Sequence, residues 1–158
     1  MKKTIVTAVV LMGLAFTAQA QDIAKNALGL RLGDNKGFGG EISYQRGLTN
    51  NNRLEADLGW RKSDGVDAFK LTGLYQWVWD IDKNFNWYAG IGAGLGSYSA
   101  PTTKSNTFAY IAGDIGIEYG FEKAPILLSL DFRPEFGGHG YYTNNYGSDI
   151  ALGIKYKF

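Results

Sequence analysis

From Gln21 onward the chain alternates. Apolar residues exchange places with polar or small ones over eight segments, and helical periodicity is hard to find between them. The segments run over residues 27–33, 38–46, 53–61, 68–79, 86–97, 107–119, 126–135 and 147–158. Turn-rich stretches separate them: Gly33-Asp34-Asn35-Lys36-Gly37, Asn50-Asn51-Asn52, Ser63-Asp64-Gly65, Asp80-Ile81-Asp82-Lys83-Asn84 and Gly137-Gly138-His139-Gly140. Short strands with short connections predict hairpins joined in sequence, an up-and-down meander.

Successive side chains of a strand point to opposite faces, so each segment sorts into two sets. One set is almost wholly apolar and includes Leu28, Ile42, Leu58, Trp60, Phe69, Ile91, Ile115, Leu130 and Ile154, with all four tryptophans. The other carries Arg31, Glu41, Arg53, Glu55, Asp57, Arg61, Lys70, Asp114, Glu118, Asp131, Arg133, Glu135, Asp149, Lys155 and Lys157, together with Gly90, Gly92, Gly94 and Gly96. Parity alone leaves open which set is inside. Volume decides: an eight-stranded barrel has room inside only for moderate side chains or one small ligand. Four tryptophans and some thirty other apolar side chains would overfill it. The mixed face therefore turns inward, where the glycines leave space for long polar chains. Seven basic against eight acidic residues make that face nearly neutral, as a paired interior requires.

The expectation is an all-β, eight-stranded antiparallel up-and-down transmembrane β-barrel. Aromatic placement agrees with it. Tyr44, Trp77, Trp79, Trp87, Tyr119, Tyr156 and Phe158 fall at one set of strand ends, and Phe38, Trp60, Phe69 and Phe132 at the other. Two bands of rings match the interfacial girdles of bilayer-spanning barrels. Residues 1–20 stand apart: a basic Met1-Lys2-Lys3, an apolar run from Ile5 to Phe16, and Ala18-Gln19-Ala20 form the pattern of a cleaved signal peptide. The barrel domain is then 21–158, and the chain is exported.

The ending, Ala151-Leu152-Gly153-Ile154-Lys155-Tyr156-Lys157-Phe158, resembles the C-terminal β-signal of Gram-negative outer-membrane barrels through Gly153, Tyr156 and Phe158. The position two before the glycine is usually polar and is Ala151 here. Asp131-Phe132-Arg133-Pro134 is similar to a segment of glycine-rich members. As a whole the chain resembles the small eight-stranded outer-membrane β-barrel family, of the outer membrane protein A or X transmembrane type. That resemblance implies location in the cell outer membrane, contact with outer-membrane lipids, and insertion by the barrel-assembly machinery. It implies no single activity, because the family holds structural proteins, adhesins and a few lipid-modifying enzymes.

Several chemistries are disfavoured by composition. Zero cysteines exclude thiolate metal sites and Cys nucleophiles, and sixteen basic against fifteen acidic residues give no footprint for nucleic acid. The lipid A deacylases and palmitoyltransferases of this architecture look like hydrolase-type sites needing a His beside a Ser and a carboxylate. His139 is the single histidine, and Tyr141 stands where the deacylase pattern wants Ser. No catalytic residue, cofactor or metal is therefore assigned. The expected lumen network is Arg31, Glu41, Arg53, Glu55, Asp114, Glu118, Asp131 and Arg133, reading as a salt-bridged plug in a monomer. A narrow, porin-like pore is the first alternative, a lipid A-modifying enzyme the second, and a soluble binding barrel the third. The stretches 98–106 and 136–146, rich in Tyr, Ser, Gly and Asn, are expected as outer loops suited to surface interaction.

Overall fold

The computed structural model describes residues 23–33, 39–63, 66–100, 103–140 and 143–158. Eight strands follow in chain order: β1 (Asn26–Gly33), β2 (Gly39–Gly47), β3 (Asn52–Ser63), β4 (Val66–Asp82), β5 (Phe85–Ala100), β6 (Thr103–Gly120), β7 (Ile126–Gly140) and β8 (Thr143–Lys157). Each pairs with its neighbour in sequence, and β8 returns to β1 to close the barrel. The closing seam runs antiparallel from Ala27↔Lys157 to Gly33↔Ala151. The architecture is the one expected from the alternation. Residues 1–20, expected as a signal peptide, Gln21 and Phe38 lie outside the described residues.

Several strands extend past the segments read from sequence. Asp80-Ile81-Asp82, expected in a connection, completes β4 and leaves only Lys83-Asn84 as the turn. Gly137–Gly140 belongs to β7. The stretches expected as outer loops continue as hairpins, with Ala100 paired to Thr103 and Gly140 to Thr143. The cause is backbone demand: hairpin arms satisfy each other's N–H and C=O groups, so pairing continues whatever the side chains. Only a register shift between Phe136 and His139 interrupts the last hairpin, where Gly137 takes φ +104°. That left-handed conformation falls to glycine, which has no Cβ to clash.

Burial follows parity along the wall. In β3, Arg53, Glu55 and Asp57 are buried while Leu54, Leu58 and Trp60 are exposed. Thirty-one large apolar side chains are exposed among the described residues, against nine buried hydrophobic and seventeen buried polar or charged ones. The barrel is apolar outside and polar inside.

Of the β5 glycines, Gly90 leaves room for a long polar chain, that of Gln76, whereas Gly94 and Gly96 leave room for rings. Gly94 and Gly96 are the direct cross-strand partners of Tyr110 and Phe108, and Gly116 of β6 is that of Tyr88. A Cβ at any of the three positions would strike the facing ring. Tyr88 and Tyr110 have inward parity, and a missing side chain opposite supplies the volume their rings take.

Aromatic rings gather at both strand ends. Trp79 and Trp87 are cross-strand partners that stack with centroids 4.3 Å apart, and Tyr75 meets Trp77 edge-on at 5.0 Å. At the other end Trp60 pairs with Phe69, and Phe136 packs on Tyr146 at 5.3 Å. Phe132, expected in that second band, sits further down β7 between Ile115 and Ile150, and Phe136 takes the upper position.

Candidate functional site

The interior holds the chemistry. All eight residues singled out in the sequence, Arg31, Glu41, Arg53, Glu55, Asp114, Glu118, Asp131 and Arg133, are buried, and the two central arginines have no solvent-exposed surface. Inward parity places each one, and closure of the sheet brings them together.

Arg31 of β1 donates from Nη1 to Glu41 at 3.0 Å and to Asp149 at 2.8 Å, and from Nε to Asp131 at 3.0 Å. A second guanidinium nitrogen also reaches Asp131. Arg133 of β7 meets four carboxylates: Asp57 at 2.7 Å, Glu55 at 3.0 Å, Glu41 at 3.5 Å and Asp114 at 3.7 Å. Glu41 thus joins the two arginines. Nearer the turns that carry the chain ends, Arg53 donates to Glu118 at 2.7 Å and to Gln76 at 2.6 Å, with its guanidinium 4.7 Å from the centre of the Tyr88 ring. Planar guanidinium forks suit this work, since each offers five donors in fixed directions.

The network recruits residues beyond those eight. Lys70 donates to Glu135 at 2.5 Å, and Lys155 lies 3.5 Å from Glu55. Gln76 passes a hydrogen bond from Arg53 to Asp114, and Gln45 donates to Glu55. Asp57, Lys70, Glu135, Asp149 and Lys155 share the inward parity of the eight; Tyr88 and Tyr110 are interior residues that the separation of apolar from polar side chains does not reveal. Their signal was also parity, since Tyr88 shares a face with Gly90 and Tyr110 with Asp114.

Among the described residues, eight carboxylates are buried against four fully buried cations, Arg31, Arg53, Arg133 and Lys155, with Lys70 partly exposed. Lys157, also of inward parity, is half-buried, and the side chain of Arg61 lies outside the described residues. Outside the wall, at the turns, Lys83 bridges Glu122 at 3.1 Å. Hydrogen bonds from Lys83 and Asn84 hold the Glu122 carboxyl below its ordinary range.

Of the remaining assignments, Trp60 and Trp77 are exposed, and Trp79 and Trp87 are half-buried against each other. Gly153, Tyr156 and Phe158 end the closing strand: Tyr156 and Phe158 point outward, and Gly153 faces Ser129 across the interior wall. The side chain of His139 lies outside the described residues. Among the described residues, no group of three or more His, Cys, Asp or Glu is arranged to hold a metal ion.

No protein-family model and no curated protein matches this chain. Solved structures do. The N-terminal β-barrel domain of Pseudomonas aeruginosa OprF superposes with a TM-score of 0.74 at 11% identity, covering 87% of this chain and all of that one. Its fold is that of the small eight-stranded outer-membrane β-barrels. Neisserial surface protein A gives a TM-score of 0.64 at 16% identity over 84% of this chain and 94% of its own. A de novo designed transmembrane β-barrel gives 0.61 at 14% identity over 89% of this chain and 100% of its own. A designed barrel among the neighbours shows what such likeness reports: strand number, closure and pairing. An outer-membrane barrel fold carries its particular role on the site and loops.

Proposed function

We propose that the chain is an integral outer-membrane protein whose lumen is plugged by side chains and which serves a structural or surface-interaction role through its outer hairpins. One observation carries the reading: the wall is apolar outside and ionic inside, the reverse of a water-soluble protein. Thirty-one exposed large apolar side chains form a face far larger than the few hundred Å² a soluble monomer leaves open. A closed barrel also leaves no unpaired strand edge, which a hydrocarbon environment demands. Aromatic rings at both ends supply the interfacial belts.

The plug rests on Arg31 and Arg133, which tie carboxylates from β2, β3, β6, β7 and β8 across the lumen. An eight-stranded barrel has no width to spare around such a cluster. Outer-membrane lipids are then its surroundings, the barrel-assembly machinery its route of insertion, and the monomer its state. No catalytic role is assigned.

Membrane fractions run on a gel with and without boiling test the first half of this reading. An outer-membrane band that shifts on heating supports the inserted barrel; recovery as a soluble protein without a shift defeats it. Planar-bilayer recording tests the plug, which predicts no steady open-channel conductance.

A further inference from the structure

Arg133 meets more carboxylates than one charge can neutralise. Two of the four have other cations: Glu41 also reaches Arg31 at 3.0 Å and Lys70 at 3.6 Å, and Glu55 reaches Lys155 at 3.5 Å. Among the described residues, Arg133 is the only cation in ion-pair contact with Asp57 and Asp114. Two carboxylates therefore divide one positive charge.

Of the two, Asp114 has the fuller surroundings, since its Oδ2 accepts from Gln76 and its Oδ1 stands 3.7 Å from Arg133 Nε. Asp57 Oδ2 meets Arg133 at 2.7 Å, but its Oδ1 is buried with no hydrogen-bond partner. Opposite it on β2 is Ser43, its direct cross-strand partner and of the same inward parity. Ser43 has no exposed surface, and its hydroxyl is likewise without a partner. Cβ atoms of direct partners stand about 4.5–5.5 Å apart, so a turn of either side chain can join the two orphaned oxygens.

A hydroxyl can donate to an ionised carboxylate or accept from a protonated one. Charge decides between them. On its other side Asp57 faces the uncharged Thr72 of β4, whose hydroxyl is already bonded to Tyr110 of β6. The strongest charges acting on Asp57 are Arg133 of β7 and Lys155 of β8, against Glu55 of its own strand and Glu41 of β2. Both of those cations also serve Glu55. A buried carboxylate without a counter-charge of its own is costly, and like charges beside it add to the cost. We propose that Asp57 is a proton-binding site of the lumen: Oδ1 carries the proton and donates it in a hydrogen bond to Ser43 Oγ, while Oδ2 accepts from Arg133. The proton is taken from water as the barrel closes, so sealing of the site is no obstacle. Ionisation of Asp57 then makes the interior a pH-sensitive element.

The sign is fixed by linkage. Folding takes up a proton at any pH above the ordinary aspartate range, near ~4, so stability declines as pH rises until Asp57 ionises within the folded barrel. Asp57→Asn reproduces both bonds of a neutral acid, its oxygen accepting from Arg133 and its amide donating to Ser43. Urea unfolding in micelles compares it with the parent upward from about pH 5. The expected result is that the variant gains on the parent by about tenfold in the folding equilibrium constant per pH unit. Infrared spectra of the folded parent in heavy water give an independent reading: a protonated-carboxyl carbonyl band that is absent from Asp57→Asn and shifted in frequency by Ser43→Ala. A stability difference that does not vary with pH, or the lack of a band that responds to Ser43→Ala, overturns the site. So does an Asp57→Asn chain that fails to fold, since a neutral acid loses neither bond to its amide.

Discussion

Arg133 Nη1 lies 2.7 Å from Asp57 Oδ2, joining β7 to β3, strands as far apart as the closed order of eight permits. Both side chains are shut off from solvent, and the same guanidinium also reaches Glu55, Glu41 and Asp114. The contact spans the lumen rather than running along the wall, which makes Arg133 a cross-brace of the barrel.

Removing that brace is expected to be costly. Arg133→Met leaves several buried carboxylates short of a counter-charge, a loss of roughly 3–5 kcal/mol by comparison with other broken buried pairs. Arg133→Lys keeps the charge but not the fork, and falls between the two. Urea unfolding in micelles measures both. A Met variant as stable as the parent would show that the cluster is not a tight network.

Asp114→Asn is expected to behave differently. Among the described residues carboxylates outnumber fully buried cations, and Asp114 Oδ1 has no hydrogen-bond partner, Arg133 Nε standing 3.7 Å away, while Oδ2 accepts from Gln76. Neutralising one surplus carboxylate should change stability by no more than ~1 kcal/mol, the net worth of an ordinary hydrogen bond. A loss equal to that of Arg133→Met, in the same unfolding assay, would mean the interior requires every carboxylate charged.

Gly94→Ala tests the packing. The added Cβ strikes the Tyr110 ring, which must move and release its hydrogen bond with Thr72. The expected cost is ~1–3 kcal/mol, typical of overpacking. Tyr110→Ala made in the same background should be less damaging than Tyr110→Ala alone, and a double-mutant cycle reads that coupling.

Ile115→Arg tests which face meets lipid. Ile115 is half exposed on the outer wall of β6, flanked by Ala89 and Phe132. Arginine near the bilayer midplane costs ~2–4 kcal/mol, against ~0–1 kcal/mol at the interface, where Tyr119→Arg would sit. Refolding into lipid vesicles compares the two variants. Equal stability would place the wall in water.

Some of the ionic contacts are written into hairpin register. Arg31 and Glu41 are direct partners on β1 and β2, and Arg53 and Gln76 on β3 and β4, so local pairing alone brings them together. Asp131 is 100 residues from Arg31, and Asp57 is 76 from Arg133. No local pattern links such positions; they meet because β8 closes on β1 and the wall curves them toward one axis.

Alternation by itself determined the eight strands, their two faces and, through the volume of the apolar set, which face lies inside. Those features depend on period and bulk, both visible one residue at a time. Tertiary structure decided the partners: which arginine each carboxylate meets, where Tyr88 and Tyr110 fill glycine gaps, and which buried polar atoms stay unpaired. Those outcomes depend on stagger and curvature, set by closure of the whole sheet rather than by any segment of it.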